Sequence, residues 1–174
     1  MRLEVEGIGG GGRGVARAEG RTWFVAGALP GELVEAEVER ERAGIVEART
    51  VAVLRPSPWR EAEPCPVAAA CGGCDLTHVN RESTVEVLRA VVVGALRHSP
   101  RELATAVAAA GVVVSPWKYR LRATLHWDPD AGTLGFFGES SHRVVDIAPC
   151  RVVSLVSRSG RVADQPIRDL YVLP

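Results

Sequence analysis

The chain has 174 residues, 47% of them hydrophobic, and its 21 basic residues balance 21 acidic ones, so the formal net charge is zero. That length supports one good core or two small domains. The balanced charge removes the compositional argument for a strongly basic nucleic-acid binder, leaving only local patches to serve such a role. No apolar run approaches the roughly 18 residues that cross a bilayer. The start, Met1-Arg2-Leu3-Glu4-Val5-Glu6, lacks the apolar centre of a signal peptide. A cytoplasmic protein without a membrane partner is therefore expected.

Residues 1–56 read as β structure. Leu3 and Val5 alternate with charged neighbours, a glycine-rich stretch covers Gly7 to Gly14, and short strand-like runs follow at 14–18 and 21–26. Ala28-Leu29-Pro30-Gly31 has the residues of a turn. Val34, Ala36 and Val38 alternate with Glu35, Glu37 and Glu39, the period of a strand with one wet face. Ile45 to Leu54 gives a last strand, so five short strands with tight turns predict a small barrel of the OB type. A dinucleotide loop needs a helix after its glycines; a strand follows here, so the glycines are assigned to chain coiling or to close approach of a ligand backbone. Trp23 and Phe24 are read as core. Arg13 and Arg17 flank the glycines and are candidate phosphate contacts.

Residues 57–80 form a proline-rich linker and a cysteine loop. A helix is predicted from Arg81 to about His98, where Val85, Leu88, Val92 and Leu96 recur at helical spacing behind Asn80 as N-cap. Val87, Val91 and Val93 widen its apolar stripe, so it needs partners on more than one side. A second helix is predicted from Glu102 to Ala110, ended by Gly111, which completes a helical segment over 81–111. Residues 112–158 return to β: a strand from Tyr119 to Trp127, a turn at Asp128-Pro129-Asp130-Ala131-Gly132, a strand from Leu134 to Phe137, then Val144 to Ile147 and Val152 to Val156 on either side of Cys150. A polar tail covers 159–174. The fold class is α+β, mostly β.

The chemistry-bearing pattern is Cys65-x5-Cys71-x2-Cys74, with glycines between the last two thiols and Cys150, the only other cysteine, far downstream. Disulfides lack support from the compartment argument. Structural zinc suits Cys71-x2-Cys74, but zinc sites usually take two short pairs. A trio plus one remote thiolate is how many iron–sulfur clusters are held. The spacing ranks a cluster first and zinc second. Free buried cysteines suit Cys150 alone, and His78 and His142 are read as core or surface residues, not ligands.

In this order the features resemble a known family. Gly14-Val15-Ala16-Arg17, Phe24-Val25 and Leu29-Pro30-Gly31-Glu32 resemble a TRAM domain, an RNA-binding barrel. Ser57-Pro58, Cys65-Pro66, Cys71-Gly72-Gly73-Cys74-Asp75-Leu76 and His78 resemble the iron–sulfur segment of the uracil-C5 RNA methyltransferases. Tyr119-Arg120-x-Arg122, Leu134-Gly135-Phe136, Ser141-His142 and Val145-Asp146-Ile147-x-x-Cys150 resemble that family's central domain. The resemblance implies a [4Fe-4S] cluster on Cys65, Cys71, Cys74 and Cys150. It implies RNA as partner, ribosomal or transfer, and S-adenosylmethionine as methyl donor to uridine C5. A base in structured RNA must be unstacked to reach such chemistry.

The chain departs from the family where the methyltransferase domain would follow: Asp169-Leu170-Tyr171 faintly resembles the cofactor-binding strand, but Val172-Leu173-Pro174 replaces its glycine loop. No S-adenosylmethionine site and no catalytic residue are therefore assigned. The expectation is an RNA-recognition part, silent alone, completed by a methyltransferase domain in trans if at all. The alternatives are a standalone TRAM-type RNA-binding module with an iron–sulfur or zinc site, and a small electron carrier. Candidate RNA contacts are Arg13, Arg17, Lys118, Tyr119, Arg120 and Arg122, with Tyr119 available to stack on a base.

Overall fold

The computed structural model describes residues 1–96, 99–120, 122–148, 150–153 and the backbone of 170–171. The chain forms two compact units: Met1–Ala62 with Asp75–Val114, and Glu63–Cys74 with Ser115–Pro174. Among the described residues no helix is long and apolar enough to cross a membrane.

The first unit is built on strands β1 (Arg2–Glu4), β2 (Gly7–Ile8), β3 (Gly14–Ala18), β4 (Arg21–Ala26), β5 (Leu33–Arg42) and β6 (Ile45–Arg55), hydrogen-bonded in the order β1-β5-β6-β4-β3-β2. Strands β4 and β6 run parallel, and the other pairs are antiparallel. Although β1 and β2 stand at opposite edges of the sheet, they are consecutive in the chain. Between them Val5 N–H donates to Glu32 O (2.9 Å) and Glu6 N–H to Val15 O (2.8 Å), which curls the sheet into a barrel. The core holds Leu3, Val5, Trp23, Val25, Val34 and Val46, with Ala16, Ala36 and Ala48 leaving room for the indole. The Trp23 Nε1–H donates to Ala18 O at 3.2 Å.

The barrel expected from alternation is present, with three local differences. The glycine-rich stretch adds the two-residue strand β2 and a short 3-10 turn, Gly10–Gly12, whose Gly11 and Gly12 sit at φ 68° and 70°. At Gly14 a Cβ would lie 2.8 Å from Val5 Cγ1 and 2.9 Å from the Ala28 carbonyl, so β3 can pass there only without a side chain. The alternation of β5 fails after Ala36: Val38 is 49% exposed like the rest of the strand beyond it, and the register with β6 shifts between Val38 and Arg40. A β-bulge re-aims the side chains beyond it, and the rest of this hairpin carries charge pairs such as Arg40–Glu47 (2.7 Å). Phe24 is half-buried, unlike the fully enclosed Trp23.

The chain leaves the barrel through residues 57–62, which pair with 78–80. Glu61 N–H donates to His78 O (2.9 Å), Asn80 N–H to Trp59 O (2.8 Å), and Arg60 bridges Val79. A second apolar cluster, Ile8, Leu29, Val79 and Val87 with Trp59 and Leu76 against it, seats helix α1 (Thr84–Ala95) on the barrel. This helix begins three residues later than its periodicity predicts. The Asn80 carboxamide accepts Ser83 N–H (2.8 Å), and Thr84 Oγ1 donates to Asn80 O (3.0 Å), so 80–83 close a side-chain-capped turn instead of a first helical turn. Only Val87 of α1 is fully buried and Val92 is 46% exposed. Helix α2 (Arg101–Ala109) has no buried residue, and Ala110, in extended conformation, ends it one residue before Gly111.

The second unit contains β7 (Arg122–Ala123), β8 (His126–Asp128), β9 (Thr133–Phe137), β10 (Val144–Asp146) and β11 (Leu170–Tyr171). Strands β10-β9-β8 form one antiparallel sheet, and β7 pairs with β11. The single strand expected from Tyr119 to Trp127 is thus two short ones, because its two ends pair with different partners. The turn at 128–132 closes on Asp128 Oδ1, which accepts the N–H groups of Asp130 (3.0 Å) and Ala131 (3.1 Å). Of the run expected at Val152 to Val156, Val153 makes a parallel bridge to Arg120; residues 154–156 and the tail, apart from the 170–171 backbone, lie outside the described residues.

Candidate functional site

All four cysteines belong to the second unit, as free thiols of intermediate exposure. The loop Glu63–Cys74 turns tightly: Ala68 N–H donates to Cys65 O (3.2 Å), and the Ala70 and Cys71 N–H groups both donate to Val67 O at 3.0 Å. The next residue is pinned to the sheet, where Gly72 N–H donates to Phe137 O at 3.0 Å. A Cβ on Gly72 would stand 3.1 Å from both the Phe137 carbonyl and the Glu139 nitrogen. One on Gly73 would stand 3.2 Å from the Phe136 ring and 3.3 Å from Cys71 Sγ. The two glycines of the motif are therefore what lets the loop lie against β9.

Cys150 reaches the same unit from the other side. Its N–H donates to Ile147 O (2.8 Å), and the segment after it pairs with 118–120: Lys118 N–H donates to Arg151 O (2.8 Å) and Arg120 N–H to Val152 O (2.9 Å). Two thiol sulfurs accept backbone N–H groups, Cys71 from Gly73 (3.4 Å) and Cys150 from Val153 (3.5 Å). Burial pushes the Cys74 thiol up to about 11. The Arg120 guanidinium opposes this, while Cys150, Cys71 and Cys65 reinforce it. All three other thiols thus lie within electrostatic reach of Cys74. Among the described residues, no three or more His, Cys, Asp or Glu side chains are drawn together closely enough to hold a metal ion. The donor set still fits a thiophilic centre: four sulfurs, backbone N–H groups aimed at two of them, and an arginine charge that favours the thiolate.

The remaining candidates divide between the units. In the first, Arg13 follows the 3-10 turn, with Nη1 4.0 Å from Glu39 Oε2, and Arg17 is largely exposed and paired with Glu6 at 3.1 Å. In the second, Lys118 (φ 62°) and Tyr119 are exposed, as is Arg122 on β7. Arg120 is half-buried, with Nη1 donating a long hydrogen bond to Gly73 O (3.4 Å) and its guanidinium 6.0 Å from the Phe136 ring centre. Sequence reasoning passed over Trp117 and Arg151, which stack at 4.8 Å while Arg151 Nη1 donates to Pro64 O at 3.2 Å. The available signal was an arginine directly after the remote cysteine. It also passed over His126, stacked on Phe137 (3.6 Å, 14°), with His142 edge-on to the same ring at 5.1 Å.

Comparison with known proteins matches residues 1–51 to the TRAM domain. The chain is 36% identical over 166 residues to the 23S rRNA (uracil(1939)-C(5))-methyltransferase RlmD of Pseudomonas putida, covering 88% of this chain and 34% of that protein. It is 34% identical over 152 residues to an uncharacterized RNA methyltransferase of Bdellovibrio bacteriovorus, covering 87% of this chain and 38% of that one. Among solved structures, the Pyrococcus abyssi tRNA (uracil-54, C5)-methyltransferase in complex with S-adenosyl-L-homocysteine superposes with a TM-score of 0.56 at 25% identity, over 91% of this chain and 34% of that chain. The chain spans about a third of the length of the relatives it matches.

Residues 1–51 are thus similar to the TRAM domain, and the described residues are of mostly β structure. Over 88% of its length the chain is homologous to the uracil-C5 RNA methyltransferases.

Proposed function

We propose that this chain binds ribosomal or transfer RNA as the recognition part of an S-adenosylmethionine-dependent uracil-C5 RNA methyltransferase, and that Cys65, Cys71, Cys74 and Cys150 hold a [4Fe-4S] cluster. The observation that supports the reading is that four cysteines separated by up to 85 positions in sequence (Cys65 to Cys150) all belong to the second unit. When bound, the cluster supplies a rigid four-point crosslink. The chain's own residues supply the rest. Gly72 and Gly73 let the loop approach β9, and Gly73 and Val153 donate N–H groups to sulfur. In the barrel Arg13 and Arg17, and in the second unit Lys118, Arg120 and Arg122, offer cations to RNA phosphates, with Tyr119 stacking on an unpaired base.

Binding of S-adenosylmethionine and methyl transfer belong, on this reading, to the whole enzyme, and require a methyltransferase domain in the same polypeptide or in trans. The compartment that fits is the cytoplasm. The test is anaerobic purification with metal and sulfide analysis: about four irons and four sulfides per chain, with absorbance near ~400 nm, are expected. One zinc without iron would favour the second reading, a TRAM-type RNA-binding module with a structural zinc, for which Cys71-x2-Cys74 is suitable spacing. A flat titration with ribosomal or transfer RNA at low salt would reject both.

A further inference from the structure

Five arginines of the first unit pair with glutamates of the same unit: Arg2 with Glu35, Arg17 with Glu6, Arg40 with Glu47, Arg49 with Glu37 and Arg55 with Glu4. Two arginines of the second unit behave differently. Among the described residues neither Arg120 nor Arg151 pairs with a carboxylate; each donates instead to a backbone carbonyl and lies against an aromatic ring. The carbonyls are those of Gly73 and Pro64, the residues immediately before Cys74 and Cys65. The backbone of the same two arginines is also tied together, since Lys118 N–H donates to Arg151 O and Arg120 bridges Val153.

We propose that Arg120 and Arg151 are positioning residues of the thiol centre, a cationic pair that grips the two ends of the cysteine loop and offsets the negative charge of four thiolates. The inference rests on the reading of these cysteines as a metal-binding set. A guanidinium that donates to a peptide carbonyl cannot be deprotonated, so it brings fixed positive charge to the loop at any physiological pH. Four thiolates in one half-buried place repel one another, and each opposite charge nearby reduces that repulsion. Arg151 is exposed and follows Cys150 directly, so its grip on Pro64 joins the remote cysteine to the first one of the trio. Being half-buried, Arg120 has the larger effect.

The test uses the full chain, loaded anaerobically with iron and sulfide. Arg120→Met and Arg151→Met keep the length of the side chain and remove its charge. The measured quantities are the rate at which visible absorbance is lost to an iron chelator, the unfolding temperature of the metal-free chain, and RNA affinity. Outer partners of metal ligands typically change affinity about 10- to 100-fold. Loss about tenfold faster is expected for Arg120→Met, less for Arg151→Met, with partial rescue by Arg120→Lys and an unchanged metal-free unfolding temperature. Wild-type loss rates in both methionine variants would overturn the proposal while leaving the metal reading intact. So would weaker RNA binding with unchanged metal retention, which would make Arg120 a phosphate contact only. Where a methionine variant does not fold, Arg120→Lys carries the test, and a metal-loss rate equal to wild type together with an equal rate for Arg151→Lys would overturn it. A wild-type chain that takes up neither iron nor zinc would overturn the metal reading itself, and this inference with it.

Discussion

Glu32 and Arg60 form a buried ion pair at the point where the chain leaves the barrel: Arg60 Nε and Nη2 lie 2.5 and 2.8 Å from the two oxygens of a carboxylate with no solvent exposure. The same carboxylate accepts Leu29 N–H (2.8 Å) and Ser57 N–H (3.2 Å), and Arg60 also donates to Gly27 O (2.6 Å). One carboxylate thus fastens the turn at 27–31 to the start of the linker.

Removing one partner of such a pair leaves a charge buried without compensation. Arg60→Ala is expected to destabilise the first unit by about 3 kcal/mol. Glu32→Gln, which keeps the volume and one acceptor, should cost less. Urea unfolding followed by Trp fluorescence measures both, and equal midpoints for wild type and Arg60→Ala would contradict the assignment.

The same pair sets an acid dependence. Burial pushes Glu32 up, but the Arg60 hydrogen bonds and the Leu29 and Ser57 N–H groups outweigh it and hold the carboxyl below its ordinary value of 4.5. A carboxyl lowered in the folded state stabilises the fold above its unfolded value and loses that contribution as pH falls through the folded one. Wild-type stability should therefore drop below about pH 4.5, whereas in Arg60→Ala, with burial no longer opposed by the guanidinium, this part of the drop shrinks or reverses. Denaturant midpoints from neutral pH down to about pH 3 show the difference.

Gly72→Ala should detach the thiol loop without harming the barrel. Its Cβ would stand 3.1 Å from the Phe137 carbonyl of β9 and from the Glu139 nitrogen just beyond it, backbone atoms that cannot rotate away. Overpacking of this kind typically costs about 1–3 kcal/mol, here confined to the second unit. If the cysteines hold the proposed cluster, the expected outcome is loss of metal with retention of the unfolding transition reported by Trp23.

For RNA, Lys118→Ala should weaken binding to all sequences alike and lower the salt slope by about one. Tyr119→Ala should instead cost about 1–3 kcal/mol with little change in salt slope, as loss of a stacking partner does. Fluorescence anisotropy over a salt series separates them.

Local rules made the barrel legible. Alternation in β5, the Pro-Gly turn and the run 21–26 each have one local meaning, and the strands lie where those signals stand. Val38 escaped because periodicity along one strand does not show where that strand runs past the core, as β5 does after Ala36. The late start of α1 follows from Asn80 capping a turn instead of a helix, a choice that Ser83 and Thr84 make together. That the four cysteines fall in one unit follows from the pairing of 118–120 with 151–153, which no local pattern announces. Arg151 and Trp117 were not legible, since a guanidinium that caps a carbonyl 87 residues away leaves no trace in its own neighbourhood.

The pairing of residues 59–61 with 78–80 has a topological consequence. Residues 63–74 form an excursion whose two ends are already held side by side by the first unit. The entropy of closing that loop is met by the Arg60–Val79 bridge before any metal arrives. Three of the four cysteines lie in this closed segment, and Cys150 follows 76 positions after Cys74. A segment whose ends are fixed in this way can be lengthened or shortened without unpicking the pairing of 59–61 with 78–80.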